Sequence, residues 1–189
     1  MHSIRPLHRA QPLRQRGATL VIALLVLVLI MMIGITAIST SDTQFKLAGN
    51  LQFEDSALNN AEAAVTAAEN WLSTGTNFND AGFTTYDNAK PQLLPIGRLA
   101  SLASPDNDPL SMTWGTGNSL AVAGNTRQRY FIEQMSRNNK LQGSSQVVGG
   151  RTSSGCNQVN TYQITGRGTS ARGATKFVQS FYSVLNCPT

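Results

Sequence analysis

The sequence is poor in the residues that carry most enzymatic and metal chemistry. Only two of its 189 residues are histidines, His2 and His8, and only two are cysteines, Cys156 and Cys187. The absence of histidine after residue 8 excludes Ser-His-Asp and Cys-His nucleophiles and histidine-ligated metal sites from the rest of the chain. Two cysteines alone cannot build the usual structural zinc site, and no P-loop or dinucleotide-binding glycine motif is present. We therefore expect no catalytic residue, no metal and no cofactor, and predict a protein that is not an enzyme.

Charge is missing from residues 17–41, which read GATLVIALLVLVLIMMIGITAISTS. As a helix this segment would be roughly 37 Å long, more than the bilayer hydrocarbon core of about 30 Å. A helix also satisfies its own backbone hydrogen bonds in lipid. The segment is therefore predicted to span a membrane. A buried core helix is disfavoured by the length, and a cleaved secretory signal with a small-residue site at residues 37–39 is a further alternative.

Acidic residues are missing before the apolar segment, whereas four arginines precede it: Arg5, Arg9, Arg14 and Arg16. Positive charge beside a membrane segment marks the cytoplasmic side. The amino terminus is thus predicted to stay in the cytoplasm and the remainder to be exported. The pI near 9.6 mainly reflects this leader, because the charges of the eleven basic residues after it are nearly balanced by ten acidic residues.

The two cysteines both fall in the part predicted to be exported. An even count in an oxidising compartment favours one disulfide, Cys156–Cys187. Closing a loop of about 30 residues would add about 3.7 kcal/mol to the stability of the folded state in the chain-entropy model. Two reduced, buried thiols are the alternative.

Proline is missing from residues 18–72, so one long helix is predicted there. Its second half is amphipathic, because apolar residues recur every three to four positions. They are Leu47, Leu51, Phe53, Ala57, Leu58, Ala61, Ala64, Val65, Ala68 and Leu72.

Residues 73–125 are rich in Gly, Asn, Thr and Pro and are predicted to be an irregular connection. Three strand-like segments follow, at residues 129–135, 161–166 and 176–185, with a hairpin loop at 167–173. We predict an α+β fold in which the long N-terminal helix, half membrane-spanning and half amphipathic, packs on a small antiparallel β-sheet. The predicted parts are a cytoplasmic leader (1–17), a transmembrane helix (18–41), its amphipathic continuation (42–72), the connection (73–125) and the sheet (126–189).

Basic residues are concentrated in the second half of the chain, whereas the amphipathic helix is acidic. A basic head can dock on the acidic helix of a neighbour, or attract an anionic surface or nucleic acid. The alternative is that these charged side chains are simply hydrated at the surface and bind no partner. The candidate anionic-surface contacts are Arg127, Arg129, Arg167 and Arg172.

The start of the chain resembles a type IV prepilin. A short basic leader ends in glycine at Arg14-Gln15-Arg16-Gly17, and an apolar helix follows from Ala18. The stretches KLAGN (46–50) and AEAA (61–64), together with the ending YQITGRGTSARGATKFVQSFYSVL, are similar to minor pilins of the PilX type. The resemblance implies prepilin-peptidase cleavage after Gly17, N-methylation of Ala18, and a leader (1–17) followed by a helix that becomes part of a filament core.

Ile22 departs from the pattern of major pilins, which carry glutamate at the fifth mature position. That carboxylate is thought to pair with the terminal amine of the adjacent subunit inside the apolar fibre. A subunit with isoleucine there cannot offer the carboxylate to a predecessor. This suits a position at the tip or at initiation.

The resemblance therefore implies a non-enzymatic minor pilin that primes or caps type IV pilus assembly at the tip and supports twitching motility and adhesion. Its implied partners are the prepilin peptidase, other minor pilins, the major pilin and a tip-associated adhesin. Its implied locations are the bacterial inner membrane, as a single-pass protein, and then the pilus tip. The alternatives are a minor pseudopilin of type II secretion, a DNA- or surface-binding adhesin module on a membrane anchor, and a signal-anchored periplasmic protein that is never processed.

Overall fold

The computed structural model describes residues 17–140 and 158–186. The chain divides into two compact units, residues 1–49 and 50–189. The first unit contains the beginning of the helix α1 (Ala18–Ser73), whose last part belongs to the second unit. The long helix predicted from the absence of proline is confirmed, and it continues through Gly34 and Gly49 without interruption.

The second unit is built on a five-stranded sheet. Its strands are β1 (Leu93–Leu94), β2 (Leu120–Val122), β3 (Asn125–Lys140), β4 (Gln158–Thr169) and β5 (Thr175–Asn186). Their order is β1-β3-β4-β5, and β2 also pairs with β3. Three short 3₁₀ helices lie in the connection, at Asn77–Asn79, Ala81–Phe83 and Leu99–Ser101.

The sheet is mixed, whereas an antiparallel sheet was predicted. The three long strands pair antiparallel, as expected, but β1 pairs parallel with β3 at Ile132 and Glu133. Both β1 and β2 come from the connection predicted to be irregular. They are two and three residues long, too short for the alternation of apolar and polar residues that identifies a strand.

The hairpin between β4 and β5 is tighter than predicted. Arg167 belongs to β4, which continues to Thr169 before the chain turns. The Ser170 N–H donates to the Ala174 carbonyl at 2.8 Å, and the Gly173 N–H donates to the Ser170 carbonyl. Gly173, at a φ of +84°, supplies the left-handed conformation that this turn requires.

The alanine face of α1 packs on the sheet. Ala57, Ala61, Ala64 and Ala68 are completely buried, and Leu72 continues the same face. The predicted apolar stripe is therefore buried from Ala57 onward, with the exception of Leu58, which is 38% accessible. Further toward the amino terminus it stays exposed: Leu47 and Leu51 are 59% and 57% accessible.

The helix approaches β4 to backbone contact. A Cβ atom added to Gly166 would lie 2.6 Å from the Ala61 carbonyl oxygen, and one added to Gly168 would lie closer still to that of Ala57. This close approach requires glycine on the strand and alanine on the helix. Larger side chains at either position would push the two elements apart.

Two apolar clusters fill the two faces of the sheet. The cluster on the helix side contains Val65, Leu72, Tyr130, Ile132, Tyr162 and Ile164, together with Phe83 and Leu93 from the connection. A smaller cluster on the opposite side joins Phe131 to Leu94, Met112 and Trp114. The connection thus covers part of the face that the helix leaves open.

We predict that Gly168→Ala destabilises the 50–189 unit by about 1–3 kcal/mol, because its new methyl group meets helix backbone, which cannot rotate away. The measurement is thermal unfolding of the full chain in detergent, followed by near-UV circular dichroism. Gly117→Ala is the matched control, since nothing lies within 4 Å of its added Cβ. Its expected effect is within about 0.5 kcal/mol. Equal unfolding temperatures for the two variants would contradict the close contact.

Candidate functional site

The first half of α1 presents an apolar surface on all sides. Within the chain every residue from Ala18 to Thr40 is exposed, and this part of the helix is long and apolar enough to cross a membrane. Gly17 immediately precedes the helix and Ala18 begins it. The Ile22 side chain is 59% accessible on this surface. An apolar surface of this extent needs lipid or other protein around it.

The four arginines proposed as anionic-surface contacts differ in exposure. Arg127 and Arg172 are exposed, Arg167 is half-buried, and Arg129 is only 6% accessible. Arg129 and Arg167 lie directly opposite each other on β3 and β4. The structure therefore brings two of the four together and leaves the other two as the exposed candidates.

Arg129 is held inside the protein by one residue of the connection. Its Nε donates to Ser119 Oγ at 2.9 Å and its Nη2 donates to the Ser119 carbonyl at 2.7 Å. Ser119 is itself buried, and its hydroxyl donates to the Gly115 carbonyl at 2.8 Å. Burial and the neighbouring Arg167 charge lower the pKa of Arg129 from its ordinary value. Its guanidinium is thus bound to Ser119 and is not available at the surface.

Arg172 contacts the helix. Its guanidinium lies over the Phe53 ring, 4.8 Å from the centroid, a geometry that favours a cation–π interaction. Nearby on β5, Lys176 Nζ pairs with Glu54 at 3.0 Å. These two contacts join the β4–β5 hairpin to α1 at the start of the 50–189 unit.

Glu133 is a buried carboxylate that the sequence analysis did not single out. It is 6% accessible on the sheet face opposite the helix, and its Oε1 accepts a hydrogen bond from the Leu99 N–H at 3.0 Å. Burial raises its pKa, although the backbone N–H groups of Leu99 and Gly97 partly offset this. Its position within the apolar run YFIEQM was the only sequence signal, and a strand with one solvated face explains the same pattern.

Some predicted features lie outside the described residues. Cys156 and Cys187 are both among them, so the disulfide stays a prediction, as does the structure of the basic leader. Within residues 17–140 and 158–186, no group of three or more His, Cys, Asp or Glu side chains is arranged to hold a metal ion.

The comparison with protein families identifies the amino-terminal segment. Residues 16–66 match the model described as PilX N-terminal. The predicted resemblance to PilX-type type IV pilins is thereby confirmed over this segment, which ends inside α1 and does not reach the sheet. No curated protein and no solved structure matches the chain at a significant level of similarity.

We predict that Glu133→Gln changes the pH dependence of unfolding. Because burial raises the pKa of Glu133 in the folded state, that state binds the proton more tightly than the unfolded chain does. The contribution of protonated Glu133 to the free energy of unfolding is fully present below the pKa of about 4.3 that the group has in the unfolded chain. It is lost as the pH rises through the higher pKa of the folded state. The glutamine variant should therefore gain stability relative to the native chain between acidic pH and pH 7.

The measurement is the unfolding temperature of the full chain in detergent from pH 3.5 to pH 7.5. Glu62→Gln, which removes an exposed carboxylate, is the control and should stay within about 0.5 kcal/mol of the native chain. A Glu133→Gln variant that loses relative stability as the pH rises would show that the charged form is the favoured one.

Proposed function

From the premise that residues 16–66 are a PilX N-terminal segment, we propose that this chain is a minor pilin that primes or caps type IV pilus assembly at the tip. The family match is the observation that carries the proposal. Twitching motility, surface attachment and adhesion would follow from the fibre, with no catalytic step by this chain.

The exposed apolar surface of α1 supports a role in two environments. Before assembly the uncharged helix of residues 18–41 is stable in the inner membrane, with the basic leader in the cytoplasm. In a fibre, helices of the same kind from neighbouring subunits replace the lipid. Because the segment has no charged side chain, moving it from the membrane into the fibre carries no cost for transferring a side-chain charge.

The beginning of α1 supports processing at Gly17. The helix starts at Ala18, immediately after the proposed cleavage position, so removal of residues 1–17 leaves a helical, apolar amino terminus. Prepilin peptidase would cut after Gly17, and Ala18 would then be N-methylated. The other proposed partners are the major pilin, other minor pilins and a tip-associated adhesin.

Ile22 supports a place at the fibre end. A carboxylate in its position would need a cationic partner in apolar surroundings, because an unpaired charge there costs several kcal/mol. Isoleucine has no such requirement, so this subunit needs no predecessor. Its own terminal amine at Ala18 remains available to the glutamate of the next subunit.

The alternatives have less support. A DNA-binding head would use the basic residues, but of the four candidates only Arg127 and Arg172 are exposed, and Arg172 contacts Phe53. A K-type pseudopilin of type II secretion also lacks the glutamate, but that family has a larger inserted domain than residues 73–125 can form.

We expect the mature protein to begin with N-methylated Ala18. Intact-mass and amino-terminal peptide mass spectrometry of the protein purified from membranes or pili would measure it. Gly17→Ala is expected to block processing and leave the leader attached, whereas Gly34→Ala, within the helix, should be processed normally. A native chain that keeps Met1 would contradict the proposal.

We expect Ile22→Glu to move the protein away from the fibre end. The new carboxylate can pair with the terminal amine of another subunit, so the variant should enter the shaft or initiate fewer fibres. Immunoelectron microscopy of a tagged chain gives its position, and the number of fibres per cell gives initiation. Ile22→Gln is the matched control without charge and should behave as the native chain does. An Ile22→Glu chain with unchanged position and fibre number would contradict the tip assignment.

A further inference from the structure

Two arginines face each other across neighbouring strands on the sheet face opposite the helix. Arg129 on β3 is directly opposite Arg167 on β4, and Phe177 on β5 continues the same row. Like charges in directly opposed positions destabilise a sheet. A pair of this kind on a partly covered face therefore needs an opposing charge.

The chain's own acidic side chains do not supply that charge. All ten of them lie within the described residues, and the ion pairs found there are Lys90–Asp80 and Lys176–Glu54. Glu133, on the same face as the arginines, accepts its hydrogen bond from the Leu99 N–H. The charge of the arginine pair is thus left uncompensated by acidic side chains in this part of the molecule.

The two guanidinium groups have different surroundings. The Arg129 guanidinium is hydrogen-bonded to Ser119, whereas the Arg167 guanidinium makes no hydrogen bond to any of the described residues. The Arg167 side chain is half-buried, and this burial lowers the pKa of its guanidinium. The N–H groups of the Arg167 guanidinium are therefore the donors that a ligand can use.

Arg167 lines an open cavity of about 370 Å³. The rings of Trp114 and Phe177 form another part of its wall, with centroids 5.9 Å apart. The Trp114 indole is held in place because its Nε1 donates to the Pro109 carbonyl at 2.8 Å. Thr113 and Thr175 also line the cavity. One cationic group beside a pair of packed aromatic rings is a combination suited to a ligand with one charged and one apolar end.

We propose that this cavity, the Arg167 cavity, binds a carboxylate attached to a ring-sized apolar group. The planar guanidinium of Arg167 would hold the carboxylate through two parallel hydrogen bonds. Arg129, directly opposite on β3, would add positive potential, while Trp114 and Phe177 would contact the apolar part. The inference does not depend on the proposed pilus role, because it uses only residues of the 50–189 unit.

The test is a titration of the full chain in detergent, followed by NMR of the Trp114 indole N–H. Benzoate represents a free carboxylate, and N-acetylphenylalanine represents the end of a peptide chain; the tighter of the two identifies the source. We expect saturable shifts of the indole signal with at least one of them. Benzamide, N-acetylphenylalanine amide and inorganic phosphate should bind at least 10-fold more weakly, since each lacks either the charge or the apolar part.

Three variants locate the binding. Arg167→Gln should weaken the tighter probe at least 10-fold, and Arg167→Lys, which keeps the charge but not the planar fork, should weaken it less. Arg127→Gln removes an exposed arginine of β3 and should bind as the native chain does. The dispersion of the remaining signals shows that each variant is folded.

The proposal would be overturned if neither carboxylate binds saturably, or if the tighter carboxylate and its own amide bind equally. Equal binding of phosphate would also overturn it, because the apolar wall would then contribute nothing. An equal loss in Arg127→Gln and Arg167→Gln would show a general charge effect rather than a site.

Discussion

Backbone contact between α1 and β4 is the interaction on which the 50–189 unit depends. The helix backbone at Ala57 and Ala61 lies directly against Gly166 and Gly168 on the strand. Larger residues then close the core where the elements are further apart. Hydrogen bonds at the margins hold the register: the Ser180 hydroxyl donates to Glu69 Oε1 at 2.7 Å, and Asn60 Nδ2 donates to the Thr169 carbonyl at 2.8 Å.

This contact covers one face of the sheet and leaves the other to the connection. The connection supplies few apolar residues there, so the second cluster is small and two charged side chains are buried beside it. Each is bound by a polar group of the connection: Arg129 by Ser119 and Glu133 by the Leu99 N–H. Buried charges are tolerated only with such partners. The second face thus has both an open cavity and buried charged side chains, and these are the features from which the carboxylate site is proposed.

The first half of α1 has exposed apolar side chains, whereas the sheet has buried charged ones. These apolar side chains are exposed within the chain, and no side chain of residues 18–41 carries a charge. Such a segment is stable only in surroundings that the chain does not itself provide. The PilX N-terminal match covers this segment and the beginning of the buried alanine face. The family match thus includes both the exposed apolar half of the helix and a part whose alanines are buried in the 50–189 unit.

The sequence by itself determined the long helix, its apolar half, the three long strands and the α+β class, because each depends on a local pattern: absence of proline, absence of charge, or alternation. The same reasoning identified the arginines by charge but not by exposure. The tertiary structure decided that Arg129 is buried, that β1 joins the sheet in parallel, and that Glu133 loses water. Each of these results depends on a contact between different elements of the chain. The Ser119–Arg129 hydrogen bonds join the connection to β3 across ten residues, the Leu99–Glu133 bond spans thirty-four, and β1 pairs with Ile132 on β3. A local pattern of apolar and polar residues carries no information about such contacts between elements.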